Sequence, residues 1–70
     1  MRDGFTAVVQ ERGGWWIGWI AEIPGVNSQE ATREELLVSL ASAIEEALEM
    51  NRDDARSSAV DPFEEVLIPA

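Results

Sequence analysis

The stretch Trp15-Trp16-Ile17-Gly18-Trp19-Ile20-Ala21-Glu22-Ile23 decides how this chain folds. It is rich in aromatic and β-branched residues, the types that fit a pleated surface. At period two, Trp15, Ile17, Trp19, Ala21 and Ile23 point one way, and Trp16, Gly18 and Ile20 point the other. A strand with one solvated face alternates apolar and polar residues. This one does not until Glu22. Both of its faces therefore need cover, and a single helix can cover only one face of a small sheet. The second face is expected to meet another subunit. Neighbouring residues of a strand cannot share a face, so Trp15 and Trp16 serve different surfaces.

On the N-terminal side, Phe5-Thr6-Ala7-Val8-Val9-Gln10 is a second β-type run. Phe5, Ala7 and Val9 fall on one face, with Thr6, Val8 and Gln10 opposite. Gly13-Gly14 lies between the two runs, and glycine reaches the positive φ that tight hairpin turns require. The pair predicts a hairpin. It is not a phosphate cradle, because it joins two strands instead of opening a helix.

On the C-terminal side, Pro24-Gly25 closes the long strand with turn chemistry. Val26-Asn27-Ser28-Gln29 reads as a short third strand or a turn. Thr32-Arg33-Glu34-Glu35 matches a capping box, in which Thr32 caps the helix and Glu35 is expected to reach back to the cap amide. From Arg33 to about Asn51, Leu36, Leu37, Leu40, Ala41, Ala43, Ile44, Ala47 and Leu48 recur at spacings of three and four. That predicts an amphipathic helix roughly 27 Å long. The polar run from Asn51 to Ser58 reads as a fraying end and loop, and Asp61-Pro62 interrupts any helix. Phe63-Glu64-Glu65-Val66-Leu67-Ile68 then reads as a final strand, with its glutamates marking a sheet edge. The order predicts an α+β layer: a three- to four-stranded antiparallel sheet, β-β-(β)-α-β, with one helix packed on one face.

The chain has 70 residues, 14 acidic side chains against five arginines, and no lysine, histidine or cysteine, for a formal charge of −9. Disulfides, thiol nucleophiles, histidine bases and the usual zinc sites are excluded by composition. Nucleic-acid binding draws its affinity largely from Lys and Arg on phosphates, so direct binding is not expected. No run approaches the roughly 18 apolar residues of a membrane span, and Met1-Arg2-Asp3-Gly4 does not resemble a signal peptide. A cytoplasmic protein is expected. Domains below about 70–80 residues rarely gain more than 3–5 kcal/mol from one core, so self-association as a dimer or tetramer is expected too.

Gly13-Gly14-Trp15-Trp16, Ile23-Pro24-Gly25-Val26, Ser28-Gln29-Glu30-Ala31-Thr32 with Glu35, and Ala43-Ile44 together resemble the N-terminal domain of HicB-like antitoxins. The resemblance covers roughly Phe5 to Met50 and rests on the order and spacing of short motifs. It implies a fold similar to double-stranded-RNA-binding domains and a small, basic, mRNA-cleaving HicA-type toxin as partner. Many members of that family carry a C-terminal DNA-binding module. Only 20 residues follow Met50, so one HicB-like domain over residues 1–70 without that module is expected. Two departures stand out: Glu30-Ala31 where Gly-Asp is usual, and Leu36 where a small Ala is usual. If the helix covers the face carrying Gly18, Leu36 fills the space left by that glycine's missing side chain.

The candidate interface residues are Trp15, Trp16, Ile17 and Trp19, joined by Val66 and Ile68 of the last strand. Tryptophan is enriched among energetic hot spots, although core packing or the subunit interface of a homo-oligomer is the plainer account of Trp15, Trp16 and Trp19. Glu45, Glu46 and Glu49 form a candidate electrostatic surface for a basic partner. The paired acids Glu34-Glu35, Glu45-Glu46, Asp53-Asp54 and Glu64-Glu65 read as solvated charge, because adjacent residues diverge on helices and strands. The hydroxyls of Ser28, Thr32, Ser39, Ser42, Ser57 and Ser58 lack an activating histidine or lysine. No catalytic residue, cofactor or metal is expected. The expectation is an antitoxin-type protein that occludes a basic toxin, or else an orphan homo-oligomeric interaction domain.

Overall fold

Two glycines set the first turn. In the computed structural model, which describes residues 4–69, Gly13 and Gly14 have φ of 57° and 85°, as a two-residue type I′ hairpin turn requires. They join β1 (Ala7–Arg12) to β2 (Trp15–Ile20), with Ala7 opposite Ile20 and Arg12 opposite Trp15. β2 ends earlier than its apolar run. The N–H of Ile23 donates to the carbonyl of Ile20, and the N–H of Val26 to the carbonyl of Ile23. Gly25, at φ 88°, occupies the position of the Ile23–Val26 turn that favours glycine. Ile23 thus leaves the ladder, while the Val26 carbonyl still accepts from the Ile20 N–H at 3.1 Å; both side chains stay buried and close one end of the core.

β3 (Asn27–Glu30) returns antiparallel to β2, giving a three-stranded sheet in the order β1-β2-β3. One helix, α1 (Arg33–Ser57), packs on one face, so the molecule is an α+β layer. The cap differs in detail from the expected box. The Thr32 hydroxyl accepts from the Glu35 N–H at 3.1 Å, and it donates to the Glu35 carboxylate at 2.9 Å. Glu35 therefore braces the cap's side chain instead of its amide. At the other side of this junction, Ser39 donates to Glu30 at 2.6 Å and ties the helix to the end of β3.

The helix covers the face of Ala7, Val9, Trp16, Gly18 and Ile20. The core is Ile20, Ile23, Val26, Leu36 and Leu40, flanked by Ala43, Ile44, Ala47 and Leu48. Leu36 and Leu40 are fully buried, each contributing about 1.5–3 kcal/mol by transfer out of water. The close packing at Gly18 is direct: a Cβ there would lie 2.9 Å from the Val8 carbonyl oxygen and 3.2 Å from Leu36 Cδ2. Leu36 does occupy the space the glycine leaves.

Two expectations are corrected. The helix does not fray at Asn51 but runs to Ser57, 25 residues in all and about 37 Å long. Its last turns bury nothing. They are joined by Glu49–Arg52 and Asp53–Arg56 ion pairs, both at 3.5 Å, and end where the Ser58 N–H and hydroxyl donate to the Asp54 carbonyl. The polar run was the solvated extension of a helix, not a loop. Second, Phe63–Ile68 joins no ladder among the described residues; it is an exposed tail, so the last β of the expected order does not form within this chain. The helix ends beyond the sheet, and the tail is held there instead.

Candidate functional site

The register of the hairpin builds the bare side of the sheet. Trp15, Ile17 and Trp19 alternate along β2 on the face opposite the helix, with Val8 across from Trp19 and Gln10 across from Ile17. On the other flank, Gln29 and Asn27 of β3 stand opposite Ile17 and Trp19. Trp15 is 49% exposed, Trp19 41% and Val8 39%. Ile17 is half-buried between them. The result is a strip of two indoles and two aliphatic side chains, rimmed by Gln10, Asn27 and Gln29.

The structure separates the residues that the sequence grouped. Trp16 lies on the helix side, half-buried against the core, across from Glu11 and Glu30. It does not share a surface with Trp15 and Trp19, as the alternation along the strand requires, so of the candidate interface residues on β2 only Trp15, Ile17 and Trp19 lie on the bare face. Val66 and Ile68 lie on the tail, away from the sheet strip, and both are largely exposed. Glu45, Glu46 and Glu49 are exposed on the outer side of α1, so the acidic surface and the aromatic strip face opposite ways. Val8 belongs to the strip although the sequence reading did not single it out. Its phase, opposite to Ala7 and Val9, was the available signal.

The carboxylates of the helix entry have structural duties. A shallow groove of about 380 Å³ is lined by Glu30, Glu34, Glu35, Val38 and Ser39. Glu30 accepts from Ser39 and Glu35 from Thr32, so two of its three acids brace the fold. A second groove, about 220 Å³, forms where the tail meets the helix end, between Arg52, Ala55 and Arg56 on one side and Phe63, Glu64 and Glu65 on the other. There Arg56 Nε donates to Glu65 at 3.0 Å. That hydrogen bond, and then the charge of Glu65, raise the guanidinium's pKa above its ordinary value. Arginine is charged at any ordinary pH in either case.

Among the described residues no group of three or more metal-ligating side chains converges, and no helix is long and apolar enough to cross a membrane. What the surface offers is contact: a rigid aromatic strip on a sheet, an acidic helix back, and an apolar tail. Comparison with family models, curated proteins and solved structures finds no match for this chain.

Proposed function

We propose that the chain is a HicB-like antitoxin-type module that binds a small, basic, mRNA-cleaving toxin and occludes its RNA-cleaving surface. The observation that carries the reading is the bare sheet face, on which Trp15, Ile17 and Trp19 stand in one row. Rigid aromatic side chains on a strand present contact area at little entropic cost, and tryptophan dominates interface energetics. The motif order from Gly13 to Ile44 supports the choice of partner. So does the charge of −9, which attracts a basic protein and repels RNA. Glu45, Glu46 and Glu49 face away from the aromatic strip, and exposed charges are screened beyond about 8 Å at physiological salt. Their part is therefore in the encounter, and the contact energy comes from the indoles.

The test is binding to a HicA-type toxin encoded beside this chain, with the toxin's ribonuclease activity as a second readout. A Trp15→Ala/Trp19→Ala variant should lose at least about 2 kcal/mol of binding, roughly thirtyfold in Kd. A Glu45→Gln/Glu46→Gln/Glu49→Gln variant should mainly slow association and flatten its salt dependence. Full toxin inhibition by the tryptophan variant would refute this placement. A second reading, an orphan homo-oligomeric domain with no toxin, draws on the same bare face. It is favoured if no basic toxin-like reading frame adjoins the gene.

A further inference from the structure

We propose that residues Val66–Ile68 add as a strand to the open edge of β1 in a second copy of this chain, so that two copies exchange tails about a two-fold axis. The inference is separate from the toxin reading and leaves the aromatic strip free.

The acceptor is the outer edge of β1. The N–H of Ala21 donates to the Thr6 carbonyl, which fixes the hydrogen-bonding phase of the hairpin. Thr6, Val8, Gln10 and Arg12 turn their backbone groups toward β2, and Ala7, Val9 and Glu11 turn theirs outward. Among the described residues nothing pairs with that outer edge. The charges of β1, Glu11 and Arg12, lie at the hairpin end, and from Ala7 to Gln10 the strand carries no charge, proline or bulge, so that part of the edge is a template for another strand. The layer beneath it is also incomplete. α1 lies mainly over β2 and β3 and only grazes β1, and Phe5, in phase with Ala7 and Val9, is 44% exposed.

The donor is the tail. Phe63-Glu64-Glu65-Val66-Leu67-Ile68 has strand composition, yet Val66, Leu67 and Ile68 are 72%, 94% and 80% exposed. Its own β1 is out of reach while the Arg56–Glu65 contact holds. Arg56 lies eight residues, about 12 Å of helix, beyond Leu48, the last residue packed on the core. The four residues from Val66 to Pro69 span at most about 14 Å. They can approach the near end of the sheet but cannot lie along β1. A second copy has no such restriction.

Exposed apolar surface favours the same occupant: apart from the strip on β2, Val66, Leu67 and Ile68 form a run of three largely exposed aliphatic side chains. The tail is the other large apolar surface of the molecule, and a two-fold exchange engages it twice. The sheet has two edges, β1 and β3, and α1 lies over β3 while it only grazes β1; a reciprocal exchange about a two-fold axis uses both tails and both β1 edges and closes at two.

The chain lacks cysteine, so Pro69→Cys gives a unique attachment point for a nitroxide. In an equimolar mixture of spin-labelled, natural-abundance chain and ¹⁵N-labelled wild type, the amides of Ala7, Val9 and Glu11 should broaden. A Val66→Asp/Ile68→Asp variant should keep its circular dichroism, because both side chains are exposed, and should self-associate at least about tenfold more weakly by sedimentation equilibrium. The proposal is overturned by a monomeric wild type, by a variant that associates as well as wild type, or by broadening away from β1. Broadening of β1 only when label and ¹⁵N share one chain would overturn it equally, because the tail would then pair within its own subunit.

Discussion

Gly18 carries more of the fold than its size implies. It sits in mid-strand, where glycine ordinarily weakens a sheet, yet a Cβ there would press on the Val8 carbonyl at 2.9 Å and on Val9 Cγ1 at 3.0 Å. Gly18→Val should therefore cost roughly 1–3 kcal/mol by overpacking, read as a lower urea midpoint at unchanged slope. Unchanged unfolding would show that the sheet and Leu36 move apart freely. The pairing of Gly18 with a large Leu36 was legible as size complementarity, but only on the condition that the helix lay on that face. Thr32 was legible without conditions. Removing its hydroxyl in Thr32→Ala should cost about 1 kcal/mol by the same measurement, because the Glu35 N–H loses its acceptor.

At the level of elements, the hairpin and its turn were readable because Gly13-Gly14 leaves few alternatives, and the helix start because the cap is a short-range motif. The helix end was not. Arg52, Asp53, Asp54 and Arg56 bury nothing, so no apolar period marks them. What supports them is pairs worth about 0.2–0.5 kcal/mol each and a serine at the C-terminus. The overhang from Glu49 to Ser57 should accordingly exchange its amide hydrogens much faster than Leu36–Leu48. Equal protection along the whole helix would mean that something covers the overhang. Phe63–Ile68 was misread for the opposite reason. Its composition favours a strand, but a strand needs a free neighbouring edge within reach, and the length of α1 carries the segment past its own sheet.

The whole molecule spreads a charge of −9 over an elongated body of 51 × 25 × 15 Å. Self-repulsion of that kind is screened by salt. Raising ionic strength from low to physiological values should raise the melting temperature by several degrees, since about 1 kcal/mol corresponds to 4–8 °C for a domain of this size. A melting temperature that falls with salt would instead point to attractive pairs as the dominant electrostatic contribution. Acrylamide, a neutral quencher, should reach Trp15 and Trp19 in the free chain and reach Trp16 less, because only Trp16 packs against the core. The sequence by itself determined the α+β layer, the hairpin, the cap, and the surplus of apolar surface on β2. These are local or periodic properties, written within a few residues of where they act. Only the tertiary structure decided that the helix covers Trp16, Gly18 and Ile20 while Trp15 and Trp19 stay open, and that the acidic back and the aromatic strip face apart. Period two divides a strand into two faces without saying which is inside. That choice depends on which face can admit Leu36, and Gly18 is what admits it.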